Sequence, residues 1–360
     1  MDGIGHERSL FLHGYGPQTG DMTVYRRPEA RFWRCPAPPT GPQAFHRGLP
    51  GYQPTPLVDV PKLAVELGVG RVLVKDESSR LGLPAFKVLG ASWGIRQALV
   101  DPDGPQTLDG LRAHVSGRGI RLTTATDGNH GRAVAHFARL LGISATVFVP
   151  AAVGQPAVDA IAGEGAQVVR VDGSYDEACR LAAAADGILV QDTAWDGYEE
   201  IPTAIVDGYS TLFREIDVSP SLVVVPMGVG SLAQAAVRHY RSTPGAVSLL
   251  GVEPTHAPCV LSSLDAGRLV SIDTSATVMA GLNCGTASST AFPDLLAGLD
   301  SAVAVRDEDA AQAVSDLKAL GVNAGPCGAA TLAGVRAARP VLDIPFDGTI
   351  VLISTEGRHA

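Results

Sequence analysis

Arg121-Leu-Thr-Thr-Ala-Thr-Asp-Gly-Asn-His-Gly-Arg-Ala-Val-Ala-His-Phe-Ala-Arg-Leu-Leu-Gly-Ile-Ser-Ala-Thr-Val-Phe-Val-Pro150 changes period twice. Residues Arg121 to Thr126 form a short β-favouring run that empties into a turn with two glycines. From Gly131 to Leu141 the apolar residues Val134, Phe137, Ala138 and Leu141 fall at i, i+3, i+4 and i+7, one face of a helix. Ala145 to Pro150 is again a short apolar run. Strand, helix and strand in that order are the unit of a parallel sheet with crossover helices. The same alternation extends outward in both directions. Strands are predicted at Arg71–Lys75, Gln167–Val171, Ile188–Gln191, Leu222–Pro226, Val247–Glu253 and Thr349–Ser354, most of them apolar on both faces, as buried parallel strands are. A further helix is predicted at Glu308–Leu320, where Ala310, Ala313, Val314 and Leu317 repeat the helical spacing. The fold class is α/β.

Composition narrows the function. With 360 residues, 46% apolar and 18% charged, the chain can bury the cores of about two domains. A formal charge of −9 and no dense run of Lys and Arg argue against nucleic acid as a partner. Residues 1–20 contain no continuous apolar stretch, so neither a secretory signal nor a membrane span is expected there, and a cytoplasmic setting follows. Cys35, Cys179, Cys259, Cys284 and Cys327 are scattered and unpaired in sequence, which suits reduced buried thiols. His256 and Cys259 are the nearest approach to a ligand pair, with no second pair to complete a metal site. Residues 1–56 form a Pro-rich lead expected to wrap over a surface, and residues 256–300 are the least regular part after it.

Five segments could carry chemistry. Lys87 follows Leu83-Pro-Ala-Phe86 and precedes Val88-Leu89, a setting in which desolvation would lower its pKa toward a nucleophilic amine, or in which it simply snorkels. Thr123-Thr-Ala-Thr-Asp-Gly-Asn-His-Gly-Arg-Ala133 offers backbone N–H groups at a helix start for a carboxylate, or is ordinary turn and capping chemistry. Asp127 would repel an anion there unless it handles a proton or meets an ammonium. Val223-Val-Val-Pro-Met-Gly-Val-Gly-Ser-Leu-Ala-Gln234 is a strand opening into glycines at a helix start, fit for a phosphate. It also fits G-x-G-x-x-A with Glu253 downstream, which leaves a dinucleotide reading open. Asp192 follows a strand directly and either points into the crevice of the sheet or caps the next helix. Ser354 and Thr355 emerge at the end of the last strand.

Together these segments resemble the fold type II enzymes dependent on pyridoxal phosphate, the tryptophan synthase β family, and within it the ammonia-lyases acting on diaminopropionate. The resemblance covers residues 50–357 and rests on Ala85-Phe-Lys-Val-Leu-Gly90, Ala125-Thr-Asp-Gly-Asn-His-Gly131, Gln191-Asp-Thr-Ala-Trp195, Gly228-Val-Gly-Ser-Leu232, Gly281-Leu-Asn-Cys-Gly285 and Ser354-Thr-Glu-Gly357, in that order. It implies two open parallel-sheet domains with the active site in the cleft between them. Residues 1–87 and 205–360 would form the large domain that binds pyridoxal 5'-phosphate, and residues 88–204 the small mobile one. Lys87 would form the imine, with Phe86 beside the cofactor. Gly228, Val229, Gly230, Ser231 and Leu232 would hold the phosphate, Asn129 the phenolic oxygen, and Ser354 the ring nitrogen. Thr126, Asp127, Gly128, Asn129 and His130 would bind the substrate carboxylate. Asp127 and Asp192 match the two carboxylates of the ammonia-lyases. The implied reaction is loss of ammonia from 2,3-diaminopropionate, the L isomer with the D isomer as a further substrate, through an aminoacrylate to pyruvate, in a homodimer; no metal-ligating residues are assigned. A β-replacement synthase or a dehydratase would carry the same motifs; a non-catalytic binding relative and a nicotinamide dehydrogenase are the readings from other classes.

Overall fold

The computed structural model describes residues 24–126 and 128–358. Eleven strands run through these residues: β1 (Val24–Arg26), β2 (Leu57–Asp59), β3 (Arg71–Asp76), β4 (Arg121–Ala125), β5 (Ser144–Pro150), β6 (Gln167–Val171), β7 (Ile188–Leu189), β8 (Leu222–Pro226), β9 (Ser248–Pro254), β10 (Ser301–Val305) and β11 (Thr349–Ser354). They make two sheets, one ordered β1-β10-β9-β8-β11-β3-β2 and the other β6-β5-β4-β7. The smaller sheet is wholly parallel. In the larger one only the three-residue edge strands, β1 on β10 and β2 on β3, run antiparallel. Short edges of this kind limit pairing with other chains. The fold is α/β, with two open, predominantly parallel sheets.

The absence of polar alternation in the inner strands has a direct cause. Val223 and Val225 of β8 enter one core while Leu222 and Val224 enter the other, and Val351 and Ile353 of β11 divide from Ile350 and Leu352 in the same way. Helices therefore cover both faces. The strands expected from the sequence form within a residue or two of their predicted limits, except that Ile188–Gln191 contracts to β7. There the Gln191 side chain turns back to accept from Ala125 N at 2.9 Å and Thr124 Oγ1 at 3.0 Å. β10 was not expected. Its Ser-Ala-Val-Ala-Val sequence carries too little apolar bulk to register as a strand, yet it pairs with β9 along its whole length.

The Pro-rich lead does more than cover a surface. After an irregular stretch it forms the helix Gly41–Arg47, which buries Phe45 with its ring 5.7 Å from Trp93 and 6.1 Å from Phe137. Residues 1–23 of the expected lead lie outside the described residues. No helix among the described residues is long and apolar enough to cross a membrane. No described cysteine is disulfide-bonded; Cys259 and Cys327 are buried, and Cys35, Cys179 and Cys284 are only partly so.

Two features place the segment that leads to Lys87. The first is a buried cluster of charges at the end of β3. Lys75 Nζ lies 2.7 Å from Glu215 Oε2, and Arg80 Nη2 lies 2.7 Å from both Glu77 and Glu215. Two cations and two carboxylates answer one another there, as burial demands. The second is the crossing of helix Lys87–Leu99 with helix Glu200–Arg214, where glycines let the backbones approach. A Cβ on Gly208 would stand 2.5 Å from Leu89 O and 2.9 Å from Gly90 Cα. Backbone cannot yield as a flexible side chain can. Gly208→Ala is therefore expected to destabilise the fold by ~1–3 kcal/mol. It would appear as a lower urea midpoint at unchanged slope; an unchanged midpoint would show that the helices separate freely.

Candidate active site

Lys87 is the first residue of helix Lys87–Leu99, and the residues before it are held by the end of β11. Phe86 N donates to Thr355 O at 3.1 Å, Gly357 N to Pro84 O at 2.9 Å, and Ala85 bridges Glu356 in antiparallel fashion. Pinned in this way, the side chain enters a cleft of about 390 Å³ between the two sheets. Its Nζ donates to Asp192 Oδ2 at 2.6 Å and stands 5.3 Å from the Phe86 ring and 5.8 Å from that of Tyr209. Burial alone would lower the lysine's pKa, as expected from its neighbours in sequence. The Asp192 carboxylate overrides burial, and the pKa is raised above the ordinary lysine value. In this arrangement Lys87 is an ammonium in an ion pair.

Asp192 follows β7 and points into the cleft instead of capping a helix. Burial opposes its ionisation, but His130, which is protonated at the low pH where the carboxyl titrates, and the Lys87 ammonium outweigh burial and bring its pKa down to about 2. Its backbone carbonyl accepts from Ser231 Oγ at 3.0 Å, which joins the carboxylate's loop to the glycine loop after β8. His130 Nδ1 lies 3.8 Å from the same Oδ2 that Lys87 holds. The other ring nitrogen, Nε2, lies 2.8 Å from Val190 O, and because a carbonyl only accepts, Nε2 carries the hydrogen.

The loop Gly228–Gly230 shows an arrangement suited to a phosphate. Its carbonyls are engaged: Gly228 O by Cys259 Sγ, Val229 O by Ser288 N and Gly230 O by Gln234 N. No described residue accepts from the N–H groups of Gly228 through Leu232, which open the helix Ser231–Arg241. Gly230 sits at φ 95°, and a Cβ on it would meet Leu295 at 2.7 Å, so only glycine fits. At the end of β11 the buried Ser354 hydroxyl has no hydrogen-bond partner among the described residues. Five unspent N–H groups and an amine line one cleft, and the orphaned Ser354 hydroxyl is buried next in sequence to the lining residue Thr355; together they fit a ligand with a phosphate, a ring nitrogen and a carbonyl.

The carboxylate loop has a different internal economy from the one its sequence suggested. Thr126 Oγ1 accepts from Gly128 N at 2.9 Å and Gly131 N at 3.0 Å, so its oxygen caps helix Asn129–Leu141. Asn129 Nδ2 donates to Glu356 Oε2 at 2.7 Å, a link across the cleft. Asp127 lies outside the described residues. Sequence reasoning gave no role to Glu356 or to Tyr209, whose buried hydroxyl faces Lys87 and is pushed to higher pKa by burial, an effect that Lys87 partly offsets. Glu356 was read only as part of the run Ser354 to Gly357, and Tyr209 carried no local signal. Glu253, the acid required by the dinucleotide reading, instead accepts from Val260 N at 2.9 Å and Leu261 N at 2.7 Å and does not line the cleft. His256 Nδ1 pairs with Ser275 Oγ at 2.6 Å. Among the described residues no three His, Cys, Asp or Glu side chains cluster as a metal site would need.

The family described as pyridoxal-phosphate dependent enzyme matches residues 49–356. The chain belongs to that family. This pyridoxal-phosphate dependent enzyme is 34% identical over 344 residues to the diaminopropionate ammonia-lyase of Escherichia coli K12, covering 87% of this chain and 86% of that protein. It is 37% identical over 281 residues to the diaminopropionate ammonia-lyase of Salmonella typhimurium, covering 69% and 68%. Among solved structures, the Escherichia coli lyase in complex with an aminoacrylate-PLP azomethine reaction intermediate superposes with a TM-score of 0.80 at 31% identity, covering 93% of this chain and 94% of that one. The same lyase with D-serine gives a TM-score of 0.84. The fold is that of the fold type II enzymes, and the cofactor is pyridoxal phosphate. The glycine loop, Ser354 and Lys87 fit it.

Proposed function

We propose that this enzyme is a carbon–nitrogen lyase that removes ammonia from 2,3-diaminopropionate by α,β-elimination, yielding pyruvate and ammonia. The observation that carries the reading is the buried Asp192 carboxylate, which holds an ammonium, that of Lys87, at 2.6 Å. With Lys87 joined to the cofactor, the same carboxylate can hold the β-ammonium of a diamine. An ionised carboxylate facing that ammonium, as it faces the Lys87 ammonium here, favours the protonated form of the leaving nitrogen. That matters because ammonia departs from an ammonium, whereas amide ion cannot leave in water. The hydroxyl of serine or threonine brings no cation of its own for this carboxylate to hold. The names of the relatives support the same substrate.

In this proposal Lys87 is the imine-forming amine and Phe86 packs beside the cofactor. The N–H groups of Gly228, Val229, Gly230, Ser231 and Leu232 hold the phosphate at a helix start, where the dipole favours negative charge. Ser354 Oγ meets the ring nitrogen. Asn129, with one amide hydrogen committed to Glu356, turns the other toward the phenolic oxygen. The backbone of Thr126 to His130 takes the substrate carboxylate, and Asp127 is the second carboxylate of the reaction. When bound, pyridoxal phosphate accepts the electron pair left as the Cα proton departs. The proposal also divides the chain at 87/88 and 204/205, with residues 88–204 closing on the substrate in a cytoplasmic homodimer; the Asn129–Glu356 bond, which spans that division, supports a closed arrangement.

Purified protein with pyridoxal phosphate, given L- or D-2,3-diaminopropionate, L-serine or L-threonine, tests the reading through a keto-acid assay. Pyruvate should form from diaminopropionate faster than any keto acid forms from the hydroxy amino acids. No pyruvate from either isomer, or a preference for serine, would overturn it.

A further inference from the structure

Two groups address one oxygen in this site. Lys87 Nζ lies 2.6 Å from Asp192 Oδ2, and His130 Nδ1 lies 3.8 Å from that same atom. The imidazole is buried, and Nδ1 has no hydrogen-bond partner among the described residues. Since Nε2–H is spent on Val190 O, the neutral ring presents a bare lone pair at Nδ1 to an anionic oxygen. Two acceptors facing each other in a buried site gain nothing from contact, and the separation exceeds a hydrogen bond. The arrangement becomes favourable if a proton enters between them. It is idle while Lys87 supplies the cation.

We propose that His130 is the proton reserve of Asp192: when the Lys87 ammonium is withdrawn, His130 Nδ1 takes up a proton and donates it to Asp192 Oδ2, so the buried carboxylate keeps a cationic partner. The proposal rests on Lys87 as the imine-forming lysine. An ammonium that condenses with an aldehyde to give a neutral imine releases one water and one proton, and that proton, or one from solvent, is the one His130 accepts. The charged groups facing the ring among the described residues are Lys87, from helix Lys87–Leu99, and Asp192, from the loop after β7. At present burial holds the imidazole below its ordinary pKa; Asp192 opposes burial and Lys87 reinforces it. Removing Lys87 deletes one of the two effects that keep the ring neutral and leaves the Asp192 carboxylate unopposed. The ring acts here as a positioning group: it fixes the charge and place of Asp192, while the residue's backbone belongs to the loop that meets the substrate carboxylate.

Nitrogen-15 histidine labelling of the cofactor-free protein reads the ring directly, with the His130 signal assigned by its loss in His130→Gln. The wild-type ring should be the neutral Nε2–H tautomer from pH 6 to 8. In Lys87→Ala its pKa should rise by about 1–3 units and yield imidazolium near neutrality. The double variant Lys87→Ala/Asp192→Asn should return it to neutral. An unchanged titration in Lys87→Ala, or a rise that survives in the double variant, overturns the proposal. Should Lys87→Ala fail to fold, wild-type protein loaded with pyridoxal phosphate gives the same comparison, and a ring that stays neutral there is equally fatal. The variant arm uses neither cofactor nor amino acid, so failure to make pyruvate from diaminopropionate leaves this inference standing.

Discussion

Replacing Lys87 by alanine is expected to abolish the visible, borohydride-sensitive absorbance that the wild-type protein acquires with pyridoxal phosphate, and to lower keto-acid formation on the order of 10³-fold. The chain offers no substitute amine. Its other lysines are Lys62, Lys75 and Lys318. Lys75 is buried against Glu215 in the charge cluster behind β3, and Lys62 and Lys318 are exposed and away from the cleft lining. Weak phosphate-dependent binding of the cofactor should survive, because the N–H groups of the Gly228–Leu232 loop are untouched. Loss of absorbance with retained binding thus separates a missing amine from a collapsed site. Lys318→Ala, as a control, should change neither. A Lys87→Ala protein that still forms the imine would transfer the role to another lysine and remove the basis of the site.

How far the sequence foretold this molecule depended on whether the cause of each feature lay near it in the chain. β8 and β11 were legible because both faces of each strand are buried and the composition of a five- or six-residue run records that. β10 was not, since its alanines fill a place between β9 and β1 that only assembly creates. The glycine loop and Asp192 were legible as types at strand ends. Their present state was not. Phe86 and Val88 pointed to a lysine of lowered pKa, and the sign reverses because Asp192, 105 residues along, stands 2.6 Å away. Asn129 and Glu356 lie 227 residues apart, so each motif could be read while the bond between them could not. Tyr209 reaches Lys87 only because glycines let two helices cross closely, a property of the pair and not of either helix.

Asp192→Asn should move two measurements in opposite directions. Asparagine keeps the side chain's shape and an oxygen acceptor for Lys87 but removes the charge. In the wild-type protein that charge raises the lysine's pKa against the effect of burial. Without it burial prevails and the pKa falls below the ordinary value of about 10.4. A larger neutral fraction at pH 7 should make condensation of the cofactor-free protein with pyridoxal phosphate faster, and shift the pH of half-maximal rate downward. Turnover of 2,3-diaminopropionate should fall by ~10²–10⁴-fold, since nothing then holds the leaving ammonium. The acid limb changes as well. The folded pKa of Asp192, about 2, lies below the unfolded value of about 3.9, so its contribution to stability is complete above about pH 4 and is lost as the pH falls toward 2. The variant should lack that component of acid sensitivity. General damage to the site would slow condensation and turnover together, so a fall in both would refute the assignment, as would a variant that turns over diaminopropionate at the wild-type rate. Faster imine formation with impaired elimination is the pattern that only a charge acting first on the lysine and then on the substrate produces.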